Sequence, residues 1–217
     1  MVDPALERAR LRLRAAGRRM KFRRGQTLMS FGESSEDVLL IESGSLKVVL
    51  SERNGAQVVA GPYGPGELIG ELGVLEHRPR SATVIGHHGG AAVRVSARAF
   101  RDLVEQDRDV LVLLNATLRA RLHNADRRQL AIASQDVTTR VAAQLLAWAH
   151  AFGDRVGDEI VVSGIVQGDL AKAVVASNKS VDAALKTLRG KGLLRTGRLR
   201  YVLPDADSLE VFLRDRN

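Results

Sequence analysis

Gly66-Glu67-Leu68-Ile69-Gly70-Glu71-Leu72-Gly73-Val74-Leu75-Glu76-His77-Arg78-Pro79-Arg80-Ser81-Ala82-Thr83-Val84 is the stretch on which the reading of the whole chain turns. Glycines at 66, 70 and 73 let backbone N–H groups come close to an anion. Glu71 to Leu75 can form one turn of helix whose start adds to that anion site. Arg80 brings a planar, permanently charged fork suited to phosphate. Glu71 is an odd neighbour for a phosphate alone. A carboxylate there makes sense if the ligand also donates a hydroxyl, and a sugar ring bearing both groups meets both demands. The competing reading is an Arg–Glu pair that only stabilises a loop.

Outward from this segment, Gly25 to Val95 alternates short Val/Ile/Leu runs with glycine punctuation: DVLLI then ESGS, LKVVL then SERNG, QVVAG then PYGPG, SATVIG then HHGG, and AAVRV. Strands of about five residues with turn signals every 8–12 residues predict an antiparallel β-sandwich or barrel. Arg53-Asn54-Gly55 predicts a hairpin, because Asn-Gly accepts the positive φ of a type I′ turn. Ahead of these strands, residues 1–24 hold nine basic against two acidic side chains. Leu6, Leu11 and Leu13 allow a short basic helix there, read as a solvated cap on the domain behind it.

Past Val95 the period changes. Ser96 can cap a helix starting at Ala97. A second helix runs from about Asp109 to Ser134, with Leu111, Asn115, Leu118, Leu122, Ala125, Gln129 and Ile132 spaced by fours and threes. That narrow heptad seam, polar at Asn115 and Gln129, favours pairing with a second copy over packing on its own domain. Ser134-Gln135-Asp136 breaks the pattern and can cap a helix from Val137 to about Phe152, with Val141, Leu145, Trp148 and Phe152 on one face. A short strand is expected at Glu159 to Val162.

From Ile165 two short helices follow. Leu170, Ala171 and Val174 line one apolar face, and Val181, Leu185 and Leu188 line the next, with Ser177 able to cap the second helix. With Ala171 small at the crossing, this is a helix-turn-helix. Gly190 and Gly192 stop the second helix, and Arg195-Thr196-Gly197-Arg198 turns into a wing. Residues 164–203 hold eight basic and two acidic side chains, on the element that would meet phosphates. Asn178, Lys179 and Asp182 lie opposite Val181 and Leu185 and are candidates to reach base edges. Gln167, Ser177, Lys186, Arg195 and Arg198 complete the expected DNA-binding set.

The central segment closely resembles the phosphate-binding cassette of cyclic-nucleotide-binding domains, with the Glu-to-Arg spacing of nine kept by Glu71 and Arg80. Followed by a dimer helix, the hinge Asp136-Val137-Thr138 and a winged helix-turn-helix, the chain resembles the CRP/FNR family of bacterial transcriptional regulators over roughly residues 20–205. The resemblance implies an α+β fold: a cyclic-nucleotide-binding β-roll over 1–108, a dimerisation helix over 109–135 and a winged helix-turn-helix domain over 136–217. It implies that Glu71 takes the ribose 2′-hydroxyl. Arg80 and Ser81, with the amides of Gly70 and Leu72, take the cyclic phosphate, and Arg121, Ala125 and Asp126 complete the site from the dimer helix.

The implied effector is cyclic AMP, with cyclic GMP as the alternative. The implied partners are double-stranded DNA, a second copy and RNA polymerase. Three departures stand out. Val175 occupies the turn position usually held by glycine, where positive φ is awkward for a β-branched residue. Asn178-Lys179-Ser180-Val181-Asp182-Ala183 lacks the arginines with which the family's recognition helix forks guanine. Ala125 and Asp126 replace the Thr-Ser or Thr-Asn pair that contacts adenine, and a carboxylate suits guanine's donors at least as well. The rival reading is a cyclic-nucleotide-binding dimer whose DNA head has degenerated.

Composition agrees with a soluble regulator. The chain has 217 residues, 45% hydrophobic and 27% charged, room for one large or two small domains. No apolar run nears ~18 residues, so no membrane span is expected, and the first residues do not read as a secretory signal. Absent cysteine excludes disulfides, thiolate catalysis and cysteine-ligated clusters, and fits a cytoplasmic location. A net charge of +8 points to a polyanionic partner, while 4% aromatics argues against a single-strand stacking platform. His77, His87, His88 and His123 show no metal-ligand spacing, and no catalytic constellation is present, so neither a metal nor an enzyme activity is expected.

Overall fold

The structure, a computed structural model, describes residues 3–51 and 57–216. The chain divides into two compact units, one up to residue 125 and the other from residue 126 on, with residues 57–59 grouped with the second. The proposed turn at Arg53-Asn54-Gly55 lies outside the described residues.

The first unit opens with helix α1 (Pro4–Ala16), capped by Asp3. Strands β1 (Arg18–Phe22), β2 (Thr27–Met29), β3 (Asp37–Ser51), β4 (Gln57–Tyr63) and β5 (Leu68–Ile69) follow, then helix α2 (Glu71–Leu75) and strand β6 (Ala82–Ser96). Helices α3 (Ala97–Gln106) and α4 (Arg108–Ser134) come last, α4 running on past residue 125. The sheet is antiparallel in its described pairings and ordered β1-β6-β3-β4, with β2 on β6 and β5 on β3.

The expectation of five-residue strands is corrected here. ESGS and HHGG are not turns but the middles of two 15-residue strands, β3 and β6, paired from Asp37↔Ser96 to Leu50↔Ala82. The register shifts between Ile41 and Leu46, where the two glycine clusters face each other. Gly44 has φ +72°, and a Cβ there would sit 2.5 Å from the Gly89 carbonyl oxygen. A Cβ on Gly90 would lie 2.0 Å from that of Ser43. The glycines let two backbones close up at a bulge, which bends the strands without ending them.

The run DVLLI reads as continuously apolar because both faces of β3 are covered. Val38 and Leu40 pack with Phe100, Val110 and Leu113 of α3 and α4. Leu39 and Ile41 pack with Phe22, Met29 and Val84 from the rest of the sheet. The basic α1 is a cap, as expected, burying Ala9 and Leu13. Its arginines face acidic groups: Arg8 forks Asp109 at 2.7 and 3.0 Å, and Arg12 lies 3.4 Å from Asp107. Asp107 in turn accepts from the amides of Asp109 and Val110 and so starts α4. Each exposed pair contributes little alone.

The second unit comprises α5 (Val137–Phe152), β7 (Asp154–Val156), β8 (Glu159–Ser163), α6 (Gln167–Ala173), α7 (Asn178–Gly190), β9 (Arg195–Gly197), β10 (Arg200–Leu203) and α8 (Ala206–Arg214). Asp136 caps α5 through the Thr139 amide at 2.7 Å, and Ser177 caps α7 through that of Ser180 at 3.0 Å. Leu145, Leu170, Leu188 and Leu203 are fully buried in one core beneath the sheet β7-β8-β10-β9. Helix α8 had no counterpart in the sequence reading, although Asp205 caps it and Leu209, Phe212 and Leu213 recur at helical spacing.

Candidate functional site

Gly70, Glu71, Leu72, Arg80, Ser81 and Arg121 line one cavity of about 200 Å3, with Met29, Val48, Tyr63 and Ile69 among its apolar walls. Its floor is the turn into α2. Gly70 stands at the helix N-cap with φ +90°, and a Cβ there would be 2.6 Å from Arg80 Nη1, so only glycine fits. Ala125 lies one turn beyond Arg121 on α4, with Asp126 next to it, and both are solvent-exposed.

Glu71 is fully buried. Its Oε1 accepts from Arg121 Nη1, and Arg121 Nη2 also donates to the Leu68 carbonyl. Arg121 stacks 5.2 Å from the Tyr63 ring centroid. Glu71 Oε2 and Arg121 Nε are buried without a hydrogen-bond partner. Burial pushes the Glu71 carboxyl above its ordinary value, against the pull of Arg121. An unpaired buried acceptor and an unpaired buried donor are thus open to a polar group entering the cavity.

Arg80 is 6% exposed and already engaged. Its Nη1 donates to the Gly70 carbonyl at 2.9 Å, and Nη2 donates to Asp37 O at 2.8 Å and Asp37 Oδ1 at 2.7 Å. Asp37, 43 residues away in sequence, and Tyr63 are the site residues that sequence reading missed. Neither carries a local signal. Their place comes from β3 and β4 crossing behind the cassette.

In the second unit, α6 and α7 form the helix-turn-helix. Gln167 Nε2 donates to the Asn178 carbonyl at 3.3 Å, tying the two helix starts together. Ser177, Asn178, Lys179, Lys186 and Arg198 are exposed, and Asp182 partly so. Lys186 pairs with Asp182 at 3.3 Å. Arg195 Nη2 donates to both oxygens of Glu159, at 2.6 and 2.5 Å, on a side chain that is 60% exposed.

Val175 has the unfavourable φ expected of it, +51°, while 45% exposed. A β-branched residue in that region is strained by about 1–2 kcal/mol. Val175→Gly is therefore expected to stabilise the second unit by roughly 1 kcal/mol after the entropy that glycine adds to the unfolded chain. Denaturant titration checks this, and a midpoint that stays put or falls would show that the turn is relaxed with valine.

Residues 19–107 match the family described as "Cyclic nucleotide-binding domain" and residues 139–212 the "Crp-like helix-turn-helix domain". The chain is 27% identical over 189 residues to the "CRP-like cAMP-activated global transcriptional regulator" of Mycobacterium tuberculosis, covering 87% of this chain and 84% of the relative. It is 28% identical over 175 residues to the "cAMP-activated global transcriptional regulator CRP" of Escherichia coli, covering 80% and 83%. Among solved structures, a CRP/FNR-family transcriptional regulator of Thermus thermophilus superposes with a TM-score of 0.79 at 19% identity, over 92% of this chain and all of that one. Two matches, in the order roll then winged head, place the chain in the CRP/FNR family of DNA-binding transcriptional regulators.

Proposed function

We propose that the protein is a cytoplasmic homodimer whose DNA affinity is set by a cyclic nucleotide, cyclic AMP first and cyclic GMP second, with RNA polymerase as its downstream partner. The observation that carries the effector reading is the unpaired Glu71 Oε2 in a cavity shared with Arg80. A ribose 2′-hydroxyl donates to the first, and a phosphate lies toward the second. The cavity's volume suits a ribose phosphate, and the base extends beyond it. In support of the dimer, Leu111, Leu122 and Ile132 stand 43, 61 and 41% exposed along α4. A stripe at that spacing is the seam a second helix covers.

Ligand would act through the Arg121 end of α4, because the guanidinium that answers Glu71 belongs to that helix. Calorimetry with cyclic AMP and cyclic GMP, paired with duplex-DNA anisotropy at two salt concentrations, tests the reading. The expected result is saturable binding of at least one nucleotide and a DNA affinity raised about five- to 150-fold by it. Binding without any salt-dependent DNA affinity would favour the degenerate-head alternative.

A further inference from the structure

The guanidinium assigned to the ligand is not idle. Of its five N–H groups, both protons of Nη2 go to Asp37, and one of Nη1 goes to the Gly70 carbonyl. The two left over, on Nε and Nη1, lie on different edges of the plane. They offer no parallel pair for two phosphate oxygens. The Asp37 carboxylate, meanwhile, is shared. Its Oδ1 is 2.7 Å from Arg80 Nη2 and its Oδ2 is 3.1 Å from Arg94 Nε. Arg94 is 45% exposed on β6 and is the carboxylate's second cationic partner.

We propose that Asp37 is a built-in competitor for the phosphate site: an incoming anion takes Arg80's fork from the Asp37 carboxylate, which falls back on Arg94. This deepens the nucleotide reading and rests on it. The exchange sets the site's affinity below what Arg80 alone would give. It also favours one charge class. A phosphodiester with one negative charge meets the remaining carboxylate repulsion once, whereas an open-chain phosphomonoester carrying two meets it about twice. Asp37 is thus a specificity-determining residue for a cyclic over an open-chain nucleotide. Its partner Arg94 sets how readily it lets go.

Two variants move the affinity in opposite directions. Asp37→Asn keeps an acceptor for Arg80 and the backbone carbonyl that also holds it, so the arginine stays in place without the competing charge. Calorimetry on the full chain is expected to show cyclic AMP binding about tenfold more tightly. Competition by adenosine 5′-monophosphate should improve by a larger factor. Arg94→Gln removes the carboxylate's alternative partner and should weaken cyclic AMP binding severalfold. Unchanged or weaker binding in Asp37→Asn overturns the proposal while leaving the nucleotide reading intact. Equal gains for the two nucleotides also overturn it, since a loosened pocket would do that. If only Asp37→Asn binds, the competitor is confirmed and the wild-type effector assignment fails. If no variant binds, both fail.

Discussion

Replacing Arg80 by alanine is expected to weaken cyclic-nucleotide binding by about thirtyfold to several thousandfold. The arithmetic is that of a charge-assisted contact in a semi-enclosed site: about 2–5 kcal/mol when one partner is truncated and the anion is left desolvated. The same side chain also braces the fold. Three protein acceptors depend on it, the Gly70 carbonyl and two oxygens of Asp37. The variant should therefore lose stability as well as affinity. Calorimetry and denaturant unfolding separate the two losses. A variant that binds as tightly as the wild type would mean that Arg80 is a brace alone and that the ligand lies elsewhere.

Removing Arg121 should cost about 3–5 kcal/mol of stability near neutral pH, the usual result of stripping one partner from a buried ion pair. The reason lies in Glu71, which is fully buried and has one oxygen on Arg121 and the other unpaired. Burial already raises the Glu71 carboxyl above its ordinary 4.5, and Arg121 is the chief influence opposing that rise. Without the arginine the folded-state value climbs further. A carboxyl raised in the folded state binds its proton more tightly there than in the unfolded chain. The Arg121→Ala penalty is accordingly smallest below pH 4.5 and grows as pH rises through the raised value. Unfolding of wild type and variant at acid and neutral pH checks the slope. A penalty that does not change with pH would show that the carboxylate finds another partner. Adding Glu71→Gln to Arg121→Ala should recover much of the loss, because it removes the charge that was left unpaired.

Much of this protein is written in short-range chemistry. Asp136 before Val137, Ser177 before Asn178 and Ser96 before Ala97 announce helix starts, since each cap is a side chain reaching an amide three residues on. The apolar spacing of Leu170, Val181, Leu185 and Leu188 announces the helix-turn-helix for the same reason. Glu71 and Arg80 sit nine residues apart in one short segment, so the cassette is legible before any fold is known. Helix α8 carries signals of the same kind, a capping Asp205 and apolar Leu209, Phe212 and Leu213 at helical spacing.

What lay beyond the sequence depends on distance along the chain. A glycine cluster can reverse a strand or bend it, and only the opposite cluster decides which. Gly44 bends because Gly89 and Gly90 lie against it, more than forty residues later. The hold of Asp37 on Arg80, and of Arg121 on Glu71, arises in the same way. Neither partner bears a local mark of the other. A charge finds its counter-charge through the register of two bent strands and the path of a long helix, and these are properties of the packed core. The sequence therefore determines which groups are chemically suited to a phosphate and a sugar, whereas the tertiary structure decides which of those groups are already taken, because pairing costs are set by burial and distance rather than by residue type.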